Sequence, residues 1–269
     1  MKKVIFIIVL ILLLVAFGVS AVMVGNYLVG SKEQANRNEE LVQMVEDAKN
    51  PTQTETLPGE SAPAETAQET LPAIVGADGM LTEYAGLYEL NKDMVGWLEI
   101  PNTKLKYPVM QTPTNPNYYL KHDFDKQKSD WGAVYAWETA NITEPSDNIT
   151  LFGHNMKDGS MFATLNNYEN KYFWEDNKII LFNTMYEYHT YKIFAVFKTT
   201  ATLDKGFSYH QFVDAADEAA FNEFVSTCKS LSLYDTEITP VYGDKLICLS
   251  TCAYHTENGR LVVAAVRIT

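Results

Sequence analysis

Basic residues are in short supply. The chain has 21 Lys and Arg against 34 Asp and Glu, a formal net charge of −13 over 269 residues. Nucleic acid requires a basic surface, so nucleic-acid binding is excluded as a role. Cysteine is scarce as well, with three residues at 228, 248 and 252. None stands in a CxxC pair, and no Cys/His cluster has zinc-ligand spacing, so no metal site is expected. A phosphate loop and a GxGxxG segment are both missing, which removes kinases and dinucleotide enzymes. No cofactor is implied. Cys248 and Cys252 lie four residues apart on an extended pattern, about 13 Å if fully stretched. A disulfide spans about 4.4–6.8 Å between Cα atoms, so this pair does not bridge and no structural disulfide is expected. The odd count leaves at least one free thiol to explain.

Polar residues are missing from one long stretch. Val4 to Val24 is 21 residues with only Ser20 clearly polar, and about 20 apolar residues in a helix span a bilayer core. Lys2 and Lys3 precede it and no charge follows until Lys32. The positive flank predicts a cytoplasmic N-terminus, with the bulk of the chain outside. The alternative is a cleaved secretion signal with Val19-Ser20-Ala21 as the cut site, although the run exceeds the about 7–15 residues of such signals. Ser31 to Asn50 is polar with Leu41, Val42, Val45 and Ala48 on one helical stripe, predicting a short juxtamembrane helix. Pro51 to Ala73 is rich in Thr, Glu, Pro and Ala and has no aromatics. It cannot bury enough apolar surface to offset its ordering entropy, and reads as a flexible spacer. From Ser31 to Ala73 nine acidic and three basic residues leave a charge of −6. The reading divides the chain into residues 1–30 (cytoplasmic tip and anchor), 31–75 (helix and linker) and 76–269 (folded domain).

The folded part opens on a helical stripe of Met80, Leu81, Tyr84, Leu87 and Tyr88. Short β-branched and aromatic runs then dominate, at 95–100, 105–110, 133–137, 148–154, 178–182, 188–199, 245–252 and 260–268. Turn residues such as Pro101-Asn102 and Glu257-Asn258-Gly259 bound them. Eight strands with few long helices predict a mainly β protein, a closed β-barrel. Helices are expected at 158–167, with Asp158 or Ser160 as its cap, and at 215–231, where Cys228 falls on the apolar stripe as a core residue.

Three side chains stand at strand edges. Cys252 ends the run Lys245–Cys252, His154 ends the run Ile149–His154, and Arg260 begins the last strand. A cysteine attacks as its thiolate, so it needs a cationic neighbour or a base near neutral pH. An imidazole meets that need and can later protonate a leaving amine. A guanidinium stays charged and presents several fixed donors to an oxyanion. The seven-residue connection 253–259 makes the last two strands antiparallel neighbours, so that residues 252 and 260 face each other. The approach of His154 to Cys252 is long-range, and spacing alone does not show it. His122, His189, His210 and His255 are alternative bases. These residues fit a nucleophilic acyl-transfer enzyme. A peptidase that only hydrolyses and a non-catalytic membrane-tethered binding domain are the competing readings.

The same residues resemble a known family. Leu249-Ser250-Thr251-Cys252 resembles the signature around the sortase cysteine. Gly153-His154-Asn155-Met156-Lys157-Asp158-Gly159-Ser160-Met161-Phe162 resembles the histidine segment of class B sortases. Arg260-Leu261-Val262-Val263 resembles their arginine strand, and Val95–Ile100, Tyr107–Gln111 and Tyr118-Tyr119-Leu120 also match. The resemblance implies an eight-stranded sortase barrel with a helix between strands six and seven, as the 215–231 stripe provides. It implies transpeptidation, with Cys252 as nucleophile, His154 as general acid/base and Arg260 on the oxyanion. Leu120, Tyr209, Ser250 and Thr251 become substrate-groove candidates. The implied partners are a surface protein bearing a sorting signal and a peptidoglycan amine. One departure is Cys248, where a small or polar residue is usual.

Overall fold

A computed structural model describes residues 2–50, 75–76, 79–202, 205–254 and 256–269. The 51–73 spacer and His255 lie outside the described residues. The chain separates into two compact units, residues 1–40 and residues 41–269.

The first unit is helical. Helix α1 spans Lys2–Lys49 as one element; no proline interrupts it before Pro51, and the expected separate juxtamembrane helix is its continuation. Its N-terminal part is long and apolar enough to cross a membrane. The large apolar side chains from Val4 to Val29 are exposed, as lipid contact requires. The second unit takes in the end of α1. Leu41 and Val45 are buried there beside Leu81, Tyr84 and Leu87, so the stripe seen in the sequence has a partner.

Helix α2 (Thr82–Leu90) precedes eight strands: β1 (Met94–Glu99), β2 (Lys106–Met110), β3 (Val134–Ala136), β4 (Asn148–Phe152), β5 (Ile179–Thr184), β6 (Thr190–Thr200), β7 (Leu246–Cys252) and β8 (Gly259–Arg267). They pair in the order β1-β2-β3-β4-β7-β8-β6-β5, and β5 also pairs with β1, so the order closes on itself. The pairs β2/β3 and β4/β7 are parallel and the others antiparallel. All eight runs predicted from β-branched and aromatic residues are strands.

Two apolar layers cover this sheet. Tyr84 of α2 stacks on Trp97 of β1 with ring centroids 6.2 Å apart. Helix α4 (Glu218–Leu231) is capped by Asp217, whose side chain accepts from the Ala220 N–H at 2.8 Å. It packs Phe221, Phe224 and Cys228 against Phe194, Leu246, Cys248 and Val262. Cys228 is a core residue, as its stripe predicts, and all three cysteines are free. Burial pushes the Cys228 and Cys248 thiols well above the ordinary range, so both stay protonated and unreactive.

The helix expected at 158–167 begins later. A 3-10 helix covers Phe162–Glu169, followed by α3 (Lys171–Asp176). Neither Asp158 nor Ser160 caps it. Asp158 Oδ1 accepts from the Ser160 N–H at 3.0 Å and Oδ2 from the Trp131 indole at 2.9 Å. These bonds commit residues 158–160 to a loop.

Candidate active site

Strand β7 places the thiol. Leu246 and Cys248 pack toward α4, and side chains alternate along a strand. Ser250 and Cys252 therefore point to that face, and Ile247, Leu249 and Thr251 to the other. Ser250 joins Tyr209 of the 3-10 helix Tyr209–Gln211 through a 2.5 Å hydroxyl pair. Cys252 is half-buried at the strand end, in contrast to the two buried cysteines.

Strand β8 places the guanidinium. Cys252 pairs with Arg260 in the β7/β8 register, and Arg260 also pairs with Thr199 of β6. Directly paired residues share a face, so sulfur and guanidinium emerge side by side. Arg260 Nη1 donates to the carbonyls of Asn258 (3.2 Å) and Gly259 (3.0 Å). Its remaining guanidinium donors have no partner among the described residues. The Ala253 N–H is used to close the turn, donating to the Gly259 carbonyl at 2.9 Å.

Strand β4 places the imidazole. It runs parallel to β7 with Phe152 opposite Ser250. The Gly153 N–H continues the ladder, donating to the Ser250 carbonyl at 3.2 Å. Thr251 Oγ1 donates to the Gly153 carbonyl at 2.8 Å. One residue on, Asn155 Nδ2 donates to the Cys252 carbonyl at 2.8 Å. His154 is thus held alongside Cys252 by bonds on both flanks. Its Nε2 bonds the Leu120 carbonyl at 2.8 Å. A carbonyl only accepts, so Nε2 carries the proton and Nδ1 is the nitrogen free to exchange one.

The loop after His154 turns back on itself. The Phe162 N–H donates to the His154 carbonyl at 2.9 Å and Asn155 bridges to Met161. Met161 has φ +55°, a region that residues other than glycine seldom adopt, and its N–H donates to the Tyr107 hydroxyl at 2.9 Å. The Phe162 ring lies over Gly153, where a Cβ would meet Cγ at 2.6 Å. Glycine therefore serves a close approach here, and the approaching group is this ring. Gly153→Ala is expected to cost about 1–3 kcal/mol through overpacking. It should also lower turnover more than tenfold, because the displaced Phe162 carries His154 with it; thermal unfolding and rate measurements on the same sample check both.

The four groove candidates divide. Ser250 and Tyr209 meet on the cysteine face, with burial pushing the Tyr209 phenol up to about 12. Leu120 is exposed beside His154. Thr251 is buried on the opposite face, with its hydroxyl donating to the Gly153 carbonyl, and it holds the histidine segment in place. Of the alternative bases, His122 stacks on Tyr118 and bonds its carbonyl. His189 is buried at the β5/β6 turn near Arg267, the far end of β8 from Arg260. Among the described ones, His210 alone reaches the same face, against Trp137, Phe152 and Tyr209. Sequence reasoning missed Asn155, although it stands next to His154 in the quoted segment. Asn166 fixes it from the other side, with paired amides at 2.9 and 3.3 Å.

Comparison with known proteins agrees with this geometry. Residues 98–268 match the sortase domain model. The chain is 35% identical over 190 residues to sortase B of Listeria monocytogenes, covering 70% of this chain and 74% of that protein. It is 31% identical over 185 residues to sortase B of Staphylococcus aureus, covering 68% and 73%. The solved Staphylococcus aureus sortase B–substrate complex superposes with a TM-score of 0.72 at 25% identity, over 90% of this chain and 99% of that one. The chain belongs to the sortase family of cell-wall transpeptidases, and within it to class B.

Proposed function

We propose that the protein cleaves a C-terminal sorting motif after its Thr and joins the new acyl group to a peptidoglycan amine. The Cys252 thiol passes its proton to His154 Nδ1 as its sulfur bonds to the Thr carbonyl carbon, the C–N bond breaks, and Nδ1 gives that proton to the departing amine. The acceptor amine then attacks the thioester, the C–S bond breaks, and the ammonium proton passes back to His154. The free donors of Arg260 stabilise the oxyanion of each tetrahedral intermediate. Residues 1–30 are the cytoplasmic tip and anchor, so that the folded unit works on the outer side, where sorting signals and wall precursors are met.

The observation that carries this reading is the double fastening of Cys252: opposite Arg260 in the β7/β8 ladder, and bonded through its own carbonyl to the residue after His154. A site that only hydrolyses would use the same trio. Full-length protein incubated with a sorting peptide, with and without an amine acceptor, separates the two. A transfer product supports the proposal; acid product alone at saturating acceptor would replace it with a hydrolase.

A further inference from the structure

Two side-chain amides behind the nucleophile take no part in the proton transfers above. Asn155 Nδ2 donates to the Cys252 carbonyl at 2.8 Å and to Asn166 Oδ1 at 3.3 Å. Asn166 Nδ2 donates to Asn155 Oδ1 at 2.9 Å and to the Ala163 carbonyl at 3.0 Å. A carboxamide has two N–H donors, so each side chain spends both. A carbonyl only accepts, and one stands at each end of this relay, so neither amide can flip without losing bonds. Asn166 is itself held firmly. Its 3-10 helix buries Phe162, Leu165 and Tyr168. The Tyr168 hydroxyl donates to the Asn177 carbonyl and the Tyr168 carbonyl accepts from the Tyr234 hydroxyl, both at 2.8 Å.

The β4/β7 ladder explains why an amide stands here. The Gly153 N–H donates to the Ser250 carbonyl in this parallel pair. Such bonds recur at every second residue along each strand, so the next rung would run from the N–H of residue 155 to the Cys252 carbonyl. The backbone of Asn155 instead bridges to Met161, and its side chain makes the bond to Cys252 in its place. The chain can therefore bend directly after His154 while Cys252 stays fastened. The bend and the substituted rung together set how the imidazole approaches the sulfur.

We propose that Asn155 is a positioning residue for the Cys252–His154 pair, and that Asn166 locks its amide in the donating orientation. This deepens the transpeptidase reading and rests on it. The test uses full-length protein in detergent, a sorting peptide and an amine acceptor. Asn155→Ala removes the rung and is expected to lower kcat about thirty- to a hundredfold with KM changed less than about threefold, since a misplacement of about 1 Å has an effect of this order. Asn166→Ala keeps the donor and unlocks it, and should lower kcat about tenfold. Asn155→Asp separates positioning from a structural role. Its carboxylate sets an acceptor against the Cys252 carbonyl, whereas its protonated form has an O–H to donate and rebuilds the rung. The kcat deficit of this variant relative to wild type should be largest near about pH 8 and shrink about fivefold or more by about pH 5.5. Dividing by wild type at each pH cancels what the shared groups contribute: the trio, and the Lys157, Glu169, Lys198 and Tyr254 side chains lining the cleft beside the amides. Wild-type kcat in both alanine variants, or an Asn155→Asp deficit that stays constant with pH, overturns this proposal alone. If Asn155→Ala does not fold, the Asn166→Ala rate and the Asn155→Asp profile decide in the same way. If wild type turns over no peptide while Cys252 still reacts with a methanethiosulfonate probe, the transpeptidase reading falls, and this proposal with it.

Discussion

Replacing Cys252 with alanine is expected to abolish the acyl-enzyme outright. Mass spectrometry of wild type incubated with a sorting peptide should show a covalent adduct on the tryptic fragment containing Cys252, and none on Cys228 or Cys248. Those two thiols are buried in the layer between α4 and the sheet and are held protonated by that burial. The half-buried position of Cys252 gives substrate access, and its removal opens only a small space at a strand end. The variant should therefore melt within a few degrees of wild type. An adduct persisting in Cys252→Ala would show that another residue is the nucleophile.

The second large effect is expected at Arg260. Removing one preorganised oxyanion donor costs about 2.7–4 kcal/mol, or about 10²–10³ in kcat. Arg260→Ala should fall in that range, with KM changed far less than kcat. Arg260→Lys should recover little. Arg260 spends Nη1 on the turn carbonyls of Asn258 and Gly259, its other donors are the ones the proposed mechanism uses, and a lysine ammonium cannot divide itself in this fixed geometry. Single-turnover acylation rates for the three proteins check the order. Equal rates in wild type and Arg260→Ala would take this residue out of the mechanism.

Much of the architecture was legible in the sequence because it is local. Runs of β-branched and aromatic residues between turn residues mark every strand, and the short 253–259 connection predicts the Cys252–Arg260 register that the sheet shows. The Ala215–Leu231 stripe locates α4, whose start at Glu218 is set by the Asp217 cap. What escaped depends on partners distant in the chain. Leu41 and Val45 showed a stripe, but nothing in their spacing names Tyr84 or Leu87 as what they pack against. Thr251 sits beside the nucleophile in sequence, yet strand alternation turns it to the other face, a distinction a four-residue signature does not draw. Asn155 carries no signal of its own, since its value lies in a carbonyl 97 residues away. The loop at 158–160 reads as a helix start until Trp131 is seen to claim the Asp158 carboxylate.

The parallel ladder between β4 and β7 has an implication for biogenesis. Its two strands are separated by nearly a hundred residues, including β5, β6 and α4, and such pairing forms late because the intervening chain must first be organised. Until it forms, the sulfur near the C-terminus has neither its imidazole nor a groove to admit a peptide. A chain that has not yet closed this ladder thus holds an idle thiol, and on the proposed mechanism transfer chemistry switches on only when the last strands close the sheet.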